Sequence, residues 1–142
     1  MEMEKNFELI EHTADIGVVA YGASLKQAFA NAARGMFSII TDLDKVVEVL
    51  HRDIELTESD QETLLVAWLN ELVYIFDVEH ILFKRFEITE LDESRLKARG
   101  YGEKVDSARH ELKMGIKATT YHMLRIDKIA NNSYRVQVLF DI

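Results

Sequence analysis

Two acidic side chains at opposite ends of the chain carry the first chemical signal. Asp15 lies in His12-Thr13-Ala14-Asp15-Ile16-Gly17, where an acid interrupts strand-like sequence, and Asp141 lies in Phe140-Asp141-Ile142, directly after an alternating apolar run. If the fold brings the two segments together, Asp15, Asp141 and the carboxylate of Ile142 form a cluster of hard oxygens. Such a cluster repels itself unless a cation or a basic group fills it, and oxygen-only ligands select calcium, magnesium or manganese over zinc. A plainer reading stands beside this one. Asp15 caps a turn through its own backbone, as Asx turns do, and Asp141 is a solvated acid. Against it, Asp141 lies beside strand residues with no turn to cap.

The histidines offer less. No pair among His12, His110 and His122 has the His-x-x-x-His spacing of a helical zinc site, and the absence of cysteine removes thiolate sites, disulfides and a cysteine nucleophile. His122 falls on the apolar-facing side of its strand, which predicts a satisfied core histidine, and His51 and His80 look incidental. In Lys117-Ala118-Thr119-Thr120-Tyr121-His122, alternation puts Lys117, Thr119 and Tyr121 on one face. That face presents a basic group, a hydroxyl and a phenol side by side, or is simply a solvated sheet surface. Glu103, Asp106, Arg109 and His110 read as charged loop residues at the surface. There is no Gly-rich phosphate loop and no Gly-x-Ser-x-Gly elbow.

The elements that must position these residues follow from periodicity. Residues 7–10 and 18–21 read as strands around the His12–Gly17 turn, with Gly22 ending the second. Ser24 with Gln27 forms a capping box, and Leu25, Ala28, Phe29, Ala32, Met36 and Phe37 recur at helical spacing. A loose strand over 46–56 precedes Ser59 with Glu62, a second capping signature. The helix it opens carries the stripe Leu64, Leu65, Trp68, Leu69, Leu72, Val73 and Phe76. Short strands follow at 81–83, 86–88 and 96–99, and Gly100-Tyr101-Gly102-Glu103-Lys104 reads as a turn or loop. Two long strands close the chain, one over 116–126 and one with Tyr134, Val136, Val138, Phe140 and Ile142 on one face, joined by a turn at Asn131-Asn132-Ser133.

The implied class is α+β: one compact body of mixed or antiparallel sheet with two main helices, built from strand-helix-strand-strand modules. The expected organisation is a single domain over 1–142, with a second α+β unit at roughly 45–100 inserted into or packed on the first. The 142 residues are 48% hydrophobic and 30% charged, with no proline and no low-complexity linker. With 17 basic and 25 acidic residues the net charge is −8, so direct strong binding of nucleic acid is not expected, and a basic protein or a metal ion is the natural partner. No signal peptide is read at the start and the most apolar stretch, 64–76, is too short to span a bilayer, so a soluble cytoplasmic protein is expected.

Taken together the motifs resemble the archease family. The resemblance is carried by His12-Thr13-Ala14-Asp15-Ile16-Gly17, Trp68-Leu69-Asn70-Glu71-Leu72, Gly102-Glu103 with Asp106, Arg109 and His110, residues Ile116 to His122, and Phe140-Asp141-Ile142. These blocks fall in the family's order and span essentially the whole chain. The resemblance implies a non-catalytic protein cofactor that activates an RtcB-type RNA ligase in tRNA splicing, promoting guanylylation of the ligase and its multiple turnover. It also implies a divalent cation, calcium first, at Asp15, Asp141 and Ile142. His12, Lys117, Tyr121 and His122 then become candidates to face the ligase or its nucleotide, with tRNA associated only indirectly. Two other readings stay open: a metal-dependent phosphoester hydrolase using His12 or His122 as base, and a chaperone-like modulator of RNA-processing enzymes such as tRNA methyltransferases.

Overall fold

A computed structural model describes residues 6–11 and 15–142. In chain order its elements are β1 (Phe7–Glu11), β2 (Asp15–Gly22), α1 (Leu25–Ile40), a 3-10 turn at Leu43–Lys45, β3 (Leu50–Thr57), α2 (Gln61–Glu79), β4 (Ile81–Leu91), β5 (Arg95–Lys104), β6 (Ala118–Ala130) and β7 (Ser133–Asp141). The strands form two antiparallel sheets, ordered β1-β2-β7-β6 and β3-β5-β4. The α+β class and the two main helices read from periodicity are therefore the observed ones. The second sheet and α2 lie between α1 and β6 in the chain. No helix among the described residues is long and apolar enough to cross a membrane.

Helix α1 packs on β2 of one sheet and β4 of the other, which is why its buried apolar face is broad. Ser24 Oγ accepts from Gln27 N, and Gln27 Oε1 accepts in return from Ala23 N, one residue before the N-cap, in a variant of the capping box. Gly35 lets the helix approach β2: a Cβ there would meet Val18 Cγ1 at 2.8 Å. Trp68, fully buried, donates its indole N–H to Phe29 O at 3.1 Å and so ties α2 to α1. Its ring meets Phe86 edge-on, and Phe86 in turn contacts Phe37 and Phe83, which closes the core between the sheets.

The structure corrects several boundaries. Asp60, not Ser59, caps α2, accepting from Thr63 N at 2.8 Å. The short strands at 81–83 and 86–88 are one strand with register shifts after Phe83 and Ile88. Residues 46–49 precede β3 instead of opening it, and 116–117 precede β6. Residues 100–104 form the end of β5, the central strand of its sheet, and are no turn. Glycine serves close approach there: a Cβ on Gly102 would lie 1.9 Å from the Leu82 carbonyl oxygen.

That contact makes Gly102→Ala a sharp test of the strand assignment. It is expected to cost more than about 2 kcal/mol in urea unfolding, whereas Gly115→Ala, with nothing within 4 Å, should stay within about 0.5 kcal/mol. Equal effects at the two sites would contradict the central placement of β5.

Candidate functional site

The site begins with a register. β2 pairs with β7 so that Ile16 faces Phe140, Val18 faces Val138 and Ala20 faces Val136, all six buried. Side chains alternate across a strand, so the next pair outward, Asp15 with Asp141, lies on the opposite face at the end of the ladder. Directly opposed residues in an antiparallel pair have Cα atoms roughly 4.5–5.5 Å apart, and like charges placed so are destabilising. Asp141 is exposed and makes no ion pair among the described residues, while Asp15 is half-buried. A third segment joins from β6. Ala118 pairs with Asp141, and Lys117 N donates to the Asp141 carbonyl at 2.8 Å. Ile142 follows at once, 41% exposed. The fold thus brings Asp15, Asp141, Ile142 and the Lys117 backbone together, as the chain-end reading required. His12 lies outside the described residues.

The donors at this end are hard oxygens, a set that suits calcium, magnesium or manganese and not zinc. Among the described residues no third acidic or imidazole side chain completes a shell. Two opposed carboxylates fit a hydrated divalent ion, which keeps part of its water when few protein ligands are available.

Asn70 of α2 braces the same end, its Oδ1 accepting from Thr119 N at 2.7 Å. Thr119 faces the core with Phe140 and is buried, its hydroxyl without a hydrogen-bond partner among the described residues. The expected shared face of Lys117, Thr119 and Tyr121 is therefore not formed: Lys117 and Tyr121 are exposed, Thr119 is not. His122 is exposed too, and is no core histidine. The cause is a bulge. Thr120 pairs with Leu139 and Arg125 with Gln137, so residues 121–124 stand opposite Val138 alone. Extra residues in one strand break the period on which facing was read.

Glu103 and His110, read as surface, are buried at 7% and 5% exposure. Glu103 Oε2 accepts from Val47 N at 2.7 Å, and its carboxylate takes a two-pronged ion pair from Arg109. His110 Nδ1 accepts from Asp106 N at 2.9 Å, so the ring hydrogen sits on Nε2, placed 3.0 Å from Glu103 and 3.1 Å from Lys45 O. The Arg109 guanidinium, first, and then the Val47 N–H and His110 hold the Glu103 carboxyl down at about 2 against the opposing effect of burial. This knot pins the connector after β5. Two further bonds, Thr41 Oγ1 to Glu111 O and Lys113 N to Ile40 O, both 2.7 Å, carry it past the end of α1 towards Lys117. The available signal was Glu103 followed across one turn by Arg109-His110.

Comparison with known proteins agrees with this architecture. Residues 7–142 match the Archease protein family (MTH1598/TM1083). The chain is 41% identical over 142 residues to the archease of Methanosarcina mazei, with 97% of each chain covered. It is 41% identical over 141 residues to that of Pyrococcus abyssi, covering 97% of this chain and 99% of the relative. The solution structure of Methanobacterium thermoautotrophicum protein 1598 superposes with a TM-score of 0.84 at 36% identity, over 96% of this chain and 99% of that one. The crystal structure of a Thermotoga maritima archease, described as a possible chaperone, shares the fold with a TM-score of 0.60 at 21% identity, over 100% of this chain and 99% of that one. The chain belongs to the archease family.

The Glu103 knot predicts an acid-labile step. Its folded-state value lies below the ordinary 4.5, so its stabilisation is fully present above about 4.5 and is lost as pH falls towards 2. Wild type should lose on the order of 1–3 kcal/mol through this group over that window, and Glu103→Gln should lose correspondingly less. Urea titrations at pH 6, 4 and 3 measure both; identical slopes would remove the knot as the source.

Proposed function

We propose that this archease is a non-catalytic protein cofactor that activates an RtcB-type RNA ligase in tRNA splicing, promoting ligase guanylylation and multiple turnover through a divalent cation at its acidic end. The reading is carried by one observation, the Asp15–Asp141 pair set directly opposite each other by the β2–β7 register. Asp15, Asp141 and Ile142 would hold the ion, calcium first, with magnesium or manganese as alternatives. Bound there, a divalent ion supplies positive charge next to a partner's phosphate chemistry.

The chain's own contribution is positional. The register puts the two acids on the face opposite Ile16 and Phe140. The Lys117 N–H bond to Asp141 O and the Asn70 bond to Thr119 N fix the third strand against them. Lys117, Tyr121 and His122, all exposed near this end, are the described candidates to face the ligase or its nucleotide, with His12 a fourth. A net charge of −8 disfavours a direct hold on tRNA, so RNA would be met only through the ligase, in the cytoplasm.

A phosphoester hydrolase would need a general base beside the carboxylates, and His122 stands instead on the β6 bulge. The description of the Thermotoga relative as a possible chaperone suggests a second role, as a chaperone-like modulator of RNA-processing enzymes. That role would not depend on Asp15 or Asp141, and the test below separates it.

Asp15→Asn and Asp141→Asn should each lower calcium affinity and ligase guanylylation roughly tenfold or more, with thermal unfolding unchanged or slightly improved because a like-charge pair is relieved. The assay is guanylylation of an RtcB-type ligase with substoichiometric wild type or variant. Normal activation by both variants would refute the cation-dependent cofactor.

A further inference from the structure

We infer that Glu103, Arg109 and His110 are positioning residues for the acidic end, acting through the connector from β5 to β6, and that a divalent cation bound at that end tightens the connector in return. The inference rests on the reading of Asp15 and Asp141 as a cation site. It gives a role to a buried charged cluster that the proposed chemistry does not use.

The connector has little else to hold it. Of residues 105–117 only His110 and Ile116 are buried, and none lies in a helix or strand. Ordering a segment of that length costs backbone entropy that two buried side chains do not offset, so its hydrogen bonds and ion pair decide whether it keeps one path. The Glu103 carboxylate fixes the first half. It takes Val47 N, Arg109 and His110 together, and Asp106 closes the turn, its carbonyl accepting from His110 N at 2.8 Å. An apolar anchor would hold the segment without choosing among its orientations, whereas a satisfied buried polar network specifies one.

The second half carries that choice to the acids. Thr41 Oγ1 donates to Glu111 O and Lys113 N to Ile40 O, so the segment is tied to the end of α1 just after the knot. Met114 and Gly115 follow, both exposed. Ile116 then enters the core and Lys117 N donates to Asp141 O. That bond lies at the open end of the β6–β7 ladder, one residue before Ala118 pairs with Asp141. Asp141 is thus held from two sides, by β2 through Asp15 and by the connector through Lys117. With the connector loose, the second hold frays and a cation must first restore it. The free energy of that ordering is lost from affinity, and the same coupling makes an occupied site order the connector.

The test is calcium binding by this chain alone, with no ligase present. Arg109→Met breaks the knot, and Thr41→Val removes only the tie to Glu111 O. Arg99→Met breaks a two-pronged pair with Asp53 between β3 and β5, off the connector. Arg109→Met and Thr41→Val should each weaken calcium binding about fivefold, while Arg99→Met leaves it unchanged. Arg109→Lys, which keeps the charge, should recover part of the loss, and Thr41→Val carries the comparison if Arg109→Met does not fold. Hydrogen exchange reads the return direction. Saturating calcium should slow exchange at the Lys113 amide, which bonds to Ile40 O and to no proposed ligand, in wild type and less so in Arg109→Met. A role confined to stability would lower the melting temperature and leave both readouts unmoved. Unchanged calcium affinity in the folded connector variants, or a Lys113 amide indifferent to calcium, overturns the coupling and leaves the cation site standing. No calcium binding by wild type removes the cation site, and the coupling with it.

Discussion

The register of β2 against β7 is the constraint on which the rest depends. Three opposed pairs, Ile16 with Phe140, Val18 with Val138 and Ala20 with Val136, are withdrawn from water under α1. Burying a side chain of the larger kinds is worth roughly 1.5–3 kcal/mol each, whereas an opposed like-charge pair costs only about 0.2–1 kcal/mol. The core therefore wins, and Asp15 must face Asp141. A slip by one residue would relieve the acids but turn every apolar side chain of β2 to the other face. The acidic pair is a consequence of the core, held in place by forces that do not involve it.

A second constraint brings the third segment in. The connector after β5 must travel from the end of one sheet to the start of β6 in the other, and it has no regular structure of its own between Val105 and Lys117. The buried Glu103 carboxylate replaces that structure. It gathers Val47 N, Arg109 and His110 in one place, and Lys45 O shares the same two side chains. Ionic and hydrogen-bonding contacts here do what a helix would do elsewhere. They fix the path so that Lys117 reaches the Asp141 carbonyl.

How much of this was legible depended on whether a period or a long-range contact carried it. The two helices and the face of β7 were readable because their apolar stripes run unbroken, whereas the residues alone left the meeting of Asp15 with Asp141 a condition on the fold, which only the family resemblance favoured. The β6 bulge was not readable, because alternation continues in the letters after Thr120 while the backbone spends three extra residues. Gly100 and Gly102 were read as a turn because glycine signals both turns and close packing, and only the approach of Phe83 and Leu82 decides between them. Glu103 was read as surface because nothing local announces burial. Its partner Val47 lies on the far side of α2 in sequence.

The second sheet shows what this chain does with acids when nothing else requires them. Across β3 and β5, Asp53 faces Arg99 and Glu55 faces Lys97, and across β4 and β5, Glu87 faces Arg99 and Glu90 faces Lys97. Every one of those carboxylates has a cation opposite it. At the end of the first sheet Asp15 has Asp141 opposite instead, and Met123 holds a left-handed backbone on the neighbouring strand. Local rules elsewhere in the chain agree with the fold, and sequences tend to break such rules where a site demands it. Two unrelated breaks, one of charge and one of backbone, fall at the same end of one sheet. The first sets two acids directly opposite each other, and the second sets an aromatic ring and a thioether in water.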